Sequence, residues 1–212
     1  MTVVEKAVRK DVARNRGLLM RSAEALFAER GTDVTLEEVA RHAGVGVATA
    51  YRHFASKQAL VEALMESRTG QFMAVLEACE SIADPREAFE ACLYRICELQ
   101  ASDRGMRQVI SATHGIDKVA DFQERGRPQF QRLFDRAKQA GAFRPDCEAS
   151  DFVVAFWMIG KVSEATSRSS PEQWCRQLGF LLDGLRGETA PRQPPTAPAL
   201  SMKQIETIMA TI

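Results

Sequence analysis

The chain has 212 residues, of which 45% are apolar and 26% charged, with 28 basic side chains balanced by 28 acidic ones. That length holds one domain of ordinary size, or a small domain plus a medium one, each with a real core. A net charge of zero excludes a partner held by bulk electrostatics alone, but residues 1–60 carry ten Lys and Arg against seven Asp and Glu, which fits either phosphate contact or a solvated basic terminus.

Helical periodicity dominates from the start. Lys6, Arg9, Lys10, Arg14, Arg16 and Arg21 crowd the first 21 residues, opposed only by Glu5 and Asp11. A first helix is predicted over about 15–30, where Leu18, Leu19, Ser22, Ala23, Leu26 and Phe27 form one stripe at three- and four-residue spacing. Gly31 ends it in a left-handed conformation. Thr35-Leu36-Glu37-Glu38 reads as a capping box, so a second helix begins at Leu36 and turns Leu36, Val39, Ala40 and Ala43 inward. Only Gly44 to Gly46 separate it from a short helix over 47–53, after which Ser56 caps a long helix reaching about Glu80.

Further helices are predicted at about 85–101, 103–114, 118–141, 148–168 and 171–186, punctuated by Asp84-Pro85, Ala140-Gly141, Arg144-Pro145 and Ser170-Pro171. Residues 187–199 hold four prolines and read as an extended linker. Leu200 to Ile212 reads as a short amphipathic helix packed on the body, or else as a disordered tail. The expected fold class is all-α: an arm and helix-turn-helix head over 1–56, a helical sensing and dimerisation domain over 57–186, and the Pro-rich linker with its helix over 187–212.

Five cysteines, Cys79, Cys92, Cys97, Cys147 and Cys175, are an odd number without CxxC or His/Cys ligand spacing. This argues against a disulfide framework or a zinc site and fits a reducing cytosol. The longest apolar run, Phe152 to Gly160, falls well short of the ~20 residues that cross a bilayer. Neither a nucleophile–base pair nor a Gly-rich phosphate loop stands out among residues that include just three histidines. The expectation is a cytoplasmic protein with no membrane partner, no metal, no cofactor and no catalytic residue. An enzyme and a protein-binding helical adaptor are the rival classes; only a DNA binder should lose duplex affinity steeply as salt rises.

The informative stretch is Thr35 to Leu60. Two short helices joined by a tight glycine turn make a helix-turn-helix, whose second helix fits a major groove ~12 Å wide. Ala40, Val45, Ala50 and Phe54 suit its small core, which leaves Thr49, Tyr51, Arg52, His53 and Lys57 outside, groups of the kind that reach phosphate oxygens. Over about Arg14 to Leu64 the chain resembles the TetR family of regulators, most specifically in Ala43-Gly44-Val45, then Thr49-Ala50-Tyr51-Arg52-His53-Phe54, then Lys57.

The resemblance implies a homodimer that sets two heads on successive major grooves of a near-palindromic double-stranded operator, with repression relieved by a small ligand. By matching position, Thr35, Thr49, Tyr51, His53 and Lys57 would hold phosphates, while Val47, Ala48 and Thr49, with Tyr51, would lie nearest the bases. Two departures matter. Val47 and Ala48 reach a thymine methyl but offer no hydrogen bond, and Gly46 stands where Ser often caps the short helix. Base reading therefore falls to Arg52, to Glu37 or Arg41, to the arm, or to DNA shape; Arg52 alternatively forms an ion pair inside the head.

In the second domain the all-round apolar run requires burial on two sides. Val153 and Gly160, with Trp174, Leu178, Leu181, Leu182 and Leu185 of the last helix, are the expected dimer face, Gly160 and Gly179 permitting close approach; the alternative is that all of this surface is intramolecular core. Met73, Cys92, Ile96, Met106, Ile110, His114, Phe130, Phe156 and Trp157 are candidate lining for an apolar or aromatic ligand, although each taken alone reads better as plain core, and His114 as a capping or surface histidine.

Overall fold

The computed structural model describes residues 3–102, 116–167, 169–187, 201 and 203–204, with the side chains of 3–10, 32 and 116–123 excepted. It is all-α: α1 (Val3–Arg30), a 3-10 turn (Gly31–Asp33), α2 (Leu36–His42), α3 (Val47–His53), α4 (Lys57–Glu80), α5 (Pro85–Ser102), α6 (Ile116–Gln139), α7 (Ala149–Thr166) and α8 (Gln173–Leu185). The helix expected over 103–114, with Met106, Ile110 and His114, lies outside the described residues, as do most of the Pro-rich linker and the terminal helix.

Two compact units divide within α4, between Thr69 and Gly70, rather than at residue 56, where the change from head motif to long helix suggests a boundary. The reason is packing. Leu60, Val61 and Leu64 on the first turns of α4 are buried in the same core as Leu19, Phe27, Leu36, Ala50 and Phe54. Another difference is the start of α1, which begins at Val3 rather than near Asn15; nothing between them is Gly or Pro, so no residue stops the helix from running upstream.

Local signals build the first unit. At Thr35 the side chain accepts from the Glu38 N–H while the Glu38 carboxylate accepts from the Thr35 N–H, the expected capping box. α2 ends in a Schellman motif: Val45 N–H donates to the Ala40 carbonyl at 2.9 Å and Gly44 N–H to the Arg41 carbonyl at 3.2 Å. This closure needs a left-handed residue, and Gly44 has φ +66°. Ser56 Oγ accepts from Ala59 N–H at 3.1 Å and so caps α4.

Aromatic packing builds the second unit. Phe89 of α5 is fully buried, with ring centroids of Phe130, Phe143 and Phe152 within 5.3 Å and Phe134 at 5.7 Å. Arg136 donates to the carbonyl of Glu80, the last residue of α4, at 3.1 Å and to that of Ile82 in the following turn at 2.5 Å, while Arg132 pairs with the Glu80 carboxylate. After α8 the chain is strapped to the α6–α7 connection by Arg144 N–H to the Leu185 carbonyl and Gly187 N–H to the Ala142 carbonyl. A Cβ at Gly187 would stand 2.5 Å from the Gly141 carbonyl oxygen, so only glycine fits there.

Four of the seven expected dimer residues are buried within their own chain. Trp174, Leu178 and Leu182 are 8%, 1% and 2% exposed and belong to the core of their own chain. Gly160 is buried too, and its close approach is to Gln100 of α5; Gly179 likewise faces the Tyr94 hydroxyl. The α8 stripe at four-residue spacing is used up inside one chain, because α7 and α5 pack against it. Val153, Leu181 and Leu185 stay half-buried, and the large apolar side chains left outside on these helices are Met158 and Phe180.

Candidate nucleic-acid interface

α3 presents an exposed face made from its own first turn and the residues one turn on. Val47 and Tyr51 are each 44% exposed, Ala48 is exposed, and Thr49 is half-buried beside them. The opposite side is anchored by Ala50, which has no exposed surface. Gly46 caps α3 without a side-chain bond, so the first turn leaves N–H groups directed away from the helix body.

The polar groups on this face are tied to one another. The Tyr51 hydroxyl donates to Glu37 Oε1 at 2.5 Å, joining the recognition helix α3 to the bracing helix α2. That bond is the main reason the Glu37 carboxyl sits below its ordinary value, and it raises the Tyr51 phenol in turn. Arg52 donates to Thr49 Oγ1 at 2.9 Å and to the Ala48 carbonyl at 3.3 Å. It therefore lies along its own helix, and the ion pair entertained for it does not form among the described contacts.

Thr35 is exposed at the start of α2, where the motif implies it. Its hydroxyl accepts from the Glu38 N–H and also donates to Glu38 Oε2 at 3.2 Å, so its proton is committed to the cap. Glu38 is held further by Arg30 at 2.6 Å. The Thr35 backbone N–H, first, and the Arg30 guanidinium, second, pull the Glu38 carboxyl down to about 2. His53 is half-buried near the end of α3, and Lys57 is half-buried at the start of α4.

Sequence reading missed Arg16 as part of this site. Its guanidinium lies 4.4 Å from the Phe54 ring centroid and reaches the His53 carbonyl at 3.4 Å. Through it α1 is fastened to the end of α3 by a cation–π contact. The available signal was a cation at the start of the predicted first helix, which charge alone does not separate from its basic neighbours.

Of the ligand candidates, Cys92, Ile96 and Phe130 fall in the core of the second unit, with Met73 and Phe156 packed against it and Trp157 half-buried. Burial pushes the Cys92 thiol well above its ordinary value and Cys97 up to about 12, so both behave as small apolar groups. Among the described residues no His, Cys, Asp or Glu cluster could hold a metal ion, and no helix is long and apolar enough to cross a membrane.

Comparison with known proteins agrees with this geometry. Residues 19–64 match the model of the bacterial regulatory proteins of the tetR family, and residues 84–187 match the C-terminal domain of SbtR-like transcriptional regulators. The crystal structure of the TetR transcriptional regulator SCO0520 from Streptomyces coelicolor is 30% identical, with a TM-score of 0.62 over 82% of this chain and 99% of that one. The chain belongs to the TetR family of transcriptional regulators. A TetR regulatory protein from Mycobacterium vanbaalenii is 28% identical, with a TM-score of 0.61 over 84% and 99% of the two chains. The transcriptional repressor KstR2 of Mycobacterium tuberculosis is 29% identical over 157 residues, 66% of this chain and 74% of its own. These TetR-family relatives are DNA-binding helix-turn-helix regulators rather than enzymes.

Proposed function

We propose that this TetR-family regulator is a repressor that binds a near-palindromic operator as a homodimer and leaves it when the second unit takes up a small apolar or aromatic ligand. The observation that carries the DNA-reading half is the α2–α3 pair, fixed by the Gly44 turn and presenting Val47, Ala48 and Tyr51 outward. Thr49, Arg52, His53 and Lys57 flank that face and suit phosphates or base edges, with the Thr35 backbone near the start of α2. The Tyr51 hydroxyl has one proton, already given to Glu37, so Tyr51 reaches a phosphate only by exchanging partners. The sign of regulation follows the KstR2 relative, which is a repressor.

Dimerisation is assigned to the outer surface of α7 and α8, where Met158 and Phe180 are 57% and 55% exposed and Val153, Leu181 and Leu185 are half-buried. Two heads on a palindrome must then match half-sites ~34–36 Å apart. Met73, Cys92, Ile96, Phe130, Phe156 and Trp157 remain the proposed surroundings of the ligand. α4 belongs to both units, so a ligand that favours one setting of α4 shifts operator affinity by its differential binding to the two settings.

The test is a salt titration of duplex affinity with the purified chain and its Lys57→Ala variant. The expected result is a steep fall in affinity with salt, and a Lys57→Ala slope shallower by about one unit with weaker binding to every duplex. Salt-independent binding would instead favour a protein-binding adaptor.

A further inference from the structure

Glu37 is an unusual group to hold at a surface that meets a polyanion. It stands on α2, half-buried, with its carboxylate fixed by the Tyr51 hydroxyl at 2.5 Å beside the exposed α3 face. The same bond lowers its proton affinity, so it is ionised at neutral pH. A carboxylate there is repelled by phosphates unless a donor meets it, and the major groove offers only two kinds of donor, the amino groups of cytosine N4 and adenine N6. Adenine sets its N7 acceptor directly beside N6, where it opposes the second carboxylate oxygen. Cytosine has only the C5–H on that side.

We infer that Glu37, oriented by Tyr51, is a specificity-determining residue of the head that selects a cytosine amino edge and rejects guanine O6 and thymine O4. On α3, Val47 and Ala48 have no hydrogen-bonding side-chain atoms, so its first turn contributes thymine-methyl contact while α2 supplies the polar reading. Tyr51 is then a positioning residue: its hydroxyl bears on the carboxylate rather than on the DNA. This assignment rests on the DNA-reading function proposed above.

The experiment takes a duplex enriched from a random pool by the unsubstituted chain. Affinities are then measured for all four base pairs at each position, for that chain, Glu37→Gln and Tyr51→Phe. One position per half-site should prefer cytosine by about tenfold. Glu37→Gln should flatten that preference or move it to adenine, which a glutamine amide can meet at N6 and N7, and should tighten binding to unrelated duplex because a negative charge is gone. Tyr51→Phe should weaken the preference at the same position and leave the salt slope unchanged. A Glu37→Gln profile identical to that of the unsubstituted chain at every position overturns the assignment, even if all duplexes bind more tightly. A Tyr51→Phe variant that weakens all duplexes equally, with its base preferences intact, overturns the positioning role of Tyr51. If the unsubstituted chain enriches no duplex at all, the DNA-reading function itself fails and the inference with it.

Discussion

The two units are specified by different physics. In the head, shape comes from bonds between residues close in sequence: the Thr35 capping box, the Gly44 Schellman turn and the Ser56 cap, around a core that relies on Ala23, Ala40 and Ala50 for close helix crossing. In the second unit, shape comes from rings distant in sequence, Phe89, Phe130, Phe134, Phe143 and Phe152, meeting at one centre. Local bonds demand particular residues at fixed spacing. A ring cluster demands only apolar volume, which many sequences supply.

This contrast predicts where damage should appear. Both tryptophans, Trp157 and Trp174, lie in the second unit, so their fluorescence reports on it. Phe89→Ala removes the central ring and should cost about 3–5 kcal/mol, read as a lower denaturant midpoint in that signal. Comparable stability in the variant would show that the cluster has no such centre.

Gly44→Ala forces a side chain into a φ of +66°, at a cost of roughly 1–2 kcal/mol. It should lower duplex affinity while the tryptophan-reported transition stays in place. A shifted tryptophan transition would break the division of the chain into separately specified units.

Thr35→Ala removes half of the capping box, worth about 1 kcal/mol, and should be seen as reduced helicity at the head on mild heating. The box also has a pH signature. Glu38 is depressed from 4.5 to about 2, so its bonds add stability that is complete above pH 4.5 and is lost as pH falls toward 2. The acid sensitivity of the unsubstituted chain should shrink in Thr35→Ala, because the cap geometry that holds the carboxylate is weakened. Equal acid titrations would assign the depression to the Thr35 backbone N–H and the Arg30 guanidinium, both of which the variant keeps.

The same contrast explains what the sequence reveals. The head was legible almost to the residue: a helix over 47–53, a stop at Gly44 and caps at Thr35 and Ser56 all follow from side-chain chemistry within four residues. The upstream start of α1 was not legible, because no residue marks it. Nor could the sequence say which apolar stripe of α8 faces inward. Trp174, Leu178 and Leu182 form as good an outward-facing seam as an inward one until α5 and α7 are known to cover them. The Tyr51–Glu37 bond was hidden for a related reason: it joins two helices whose relative turn a one-dimensional pattern leaves unstated. The smallest expected effect lies on the surface. Phe180→Asp should leave the chain folded, since Phe180 is mostly exposed, yet shift sedimentation from dimer to monomer; a dimeric variant would move the proposed interface elsewhere.

The most direct test of the central claim is binding-site selection on random duplex DNA with the full chain. A near-palindromic motif, its half-sites one helical turn apart, is the predicted result. A pool that stays unenriched, or an enriched motif with a single half-site bound by one chain, would contradict a dimeric regulator that reads DNA through α2 and α3.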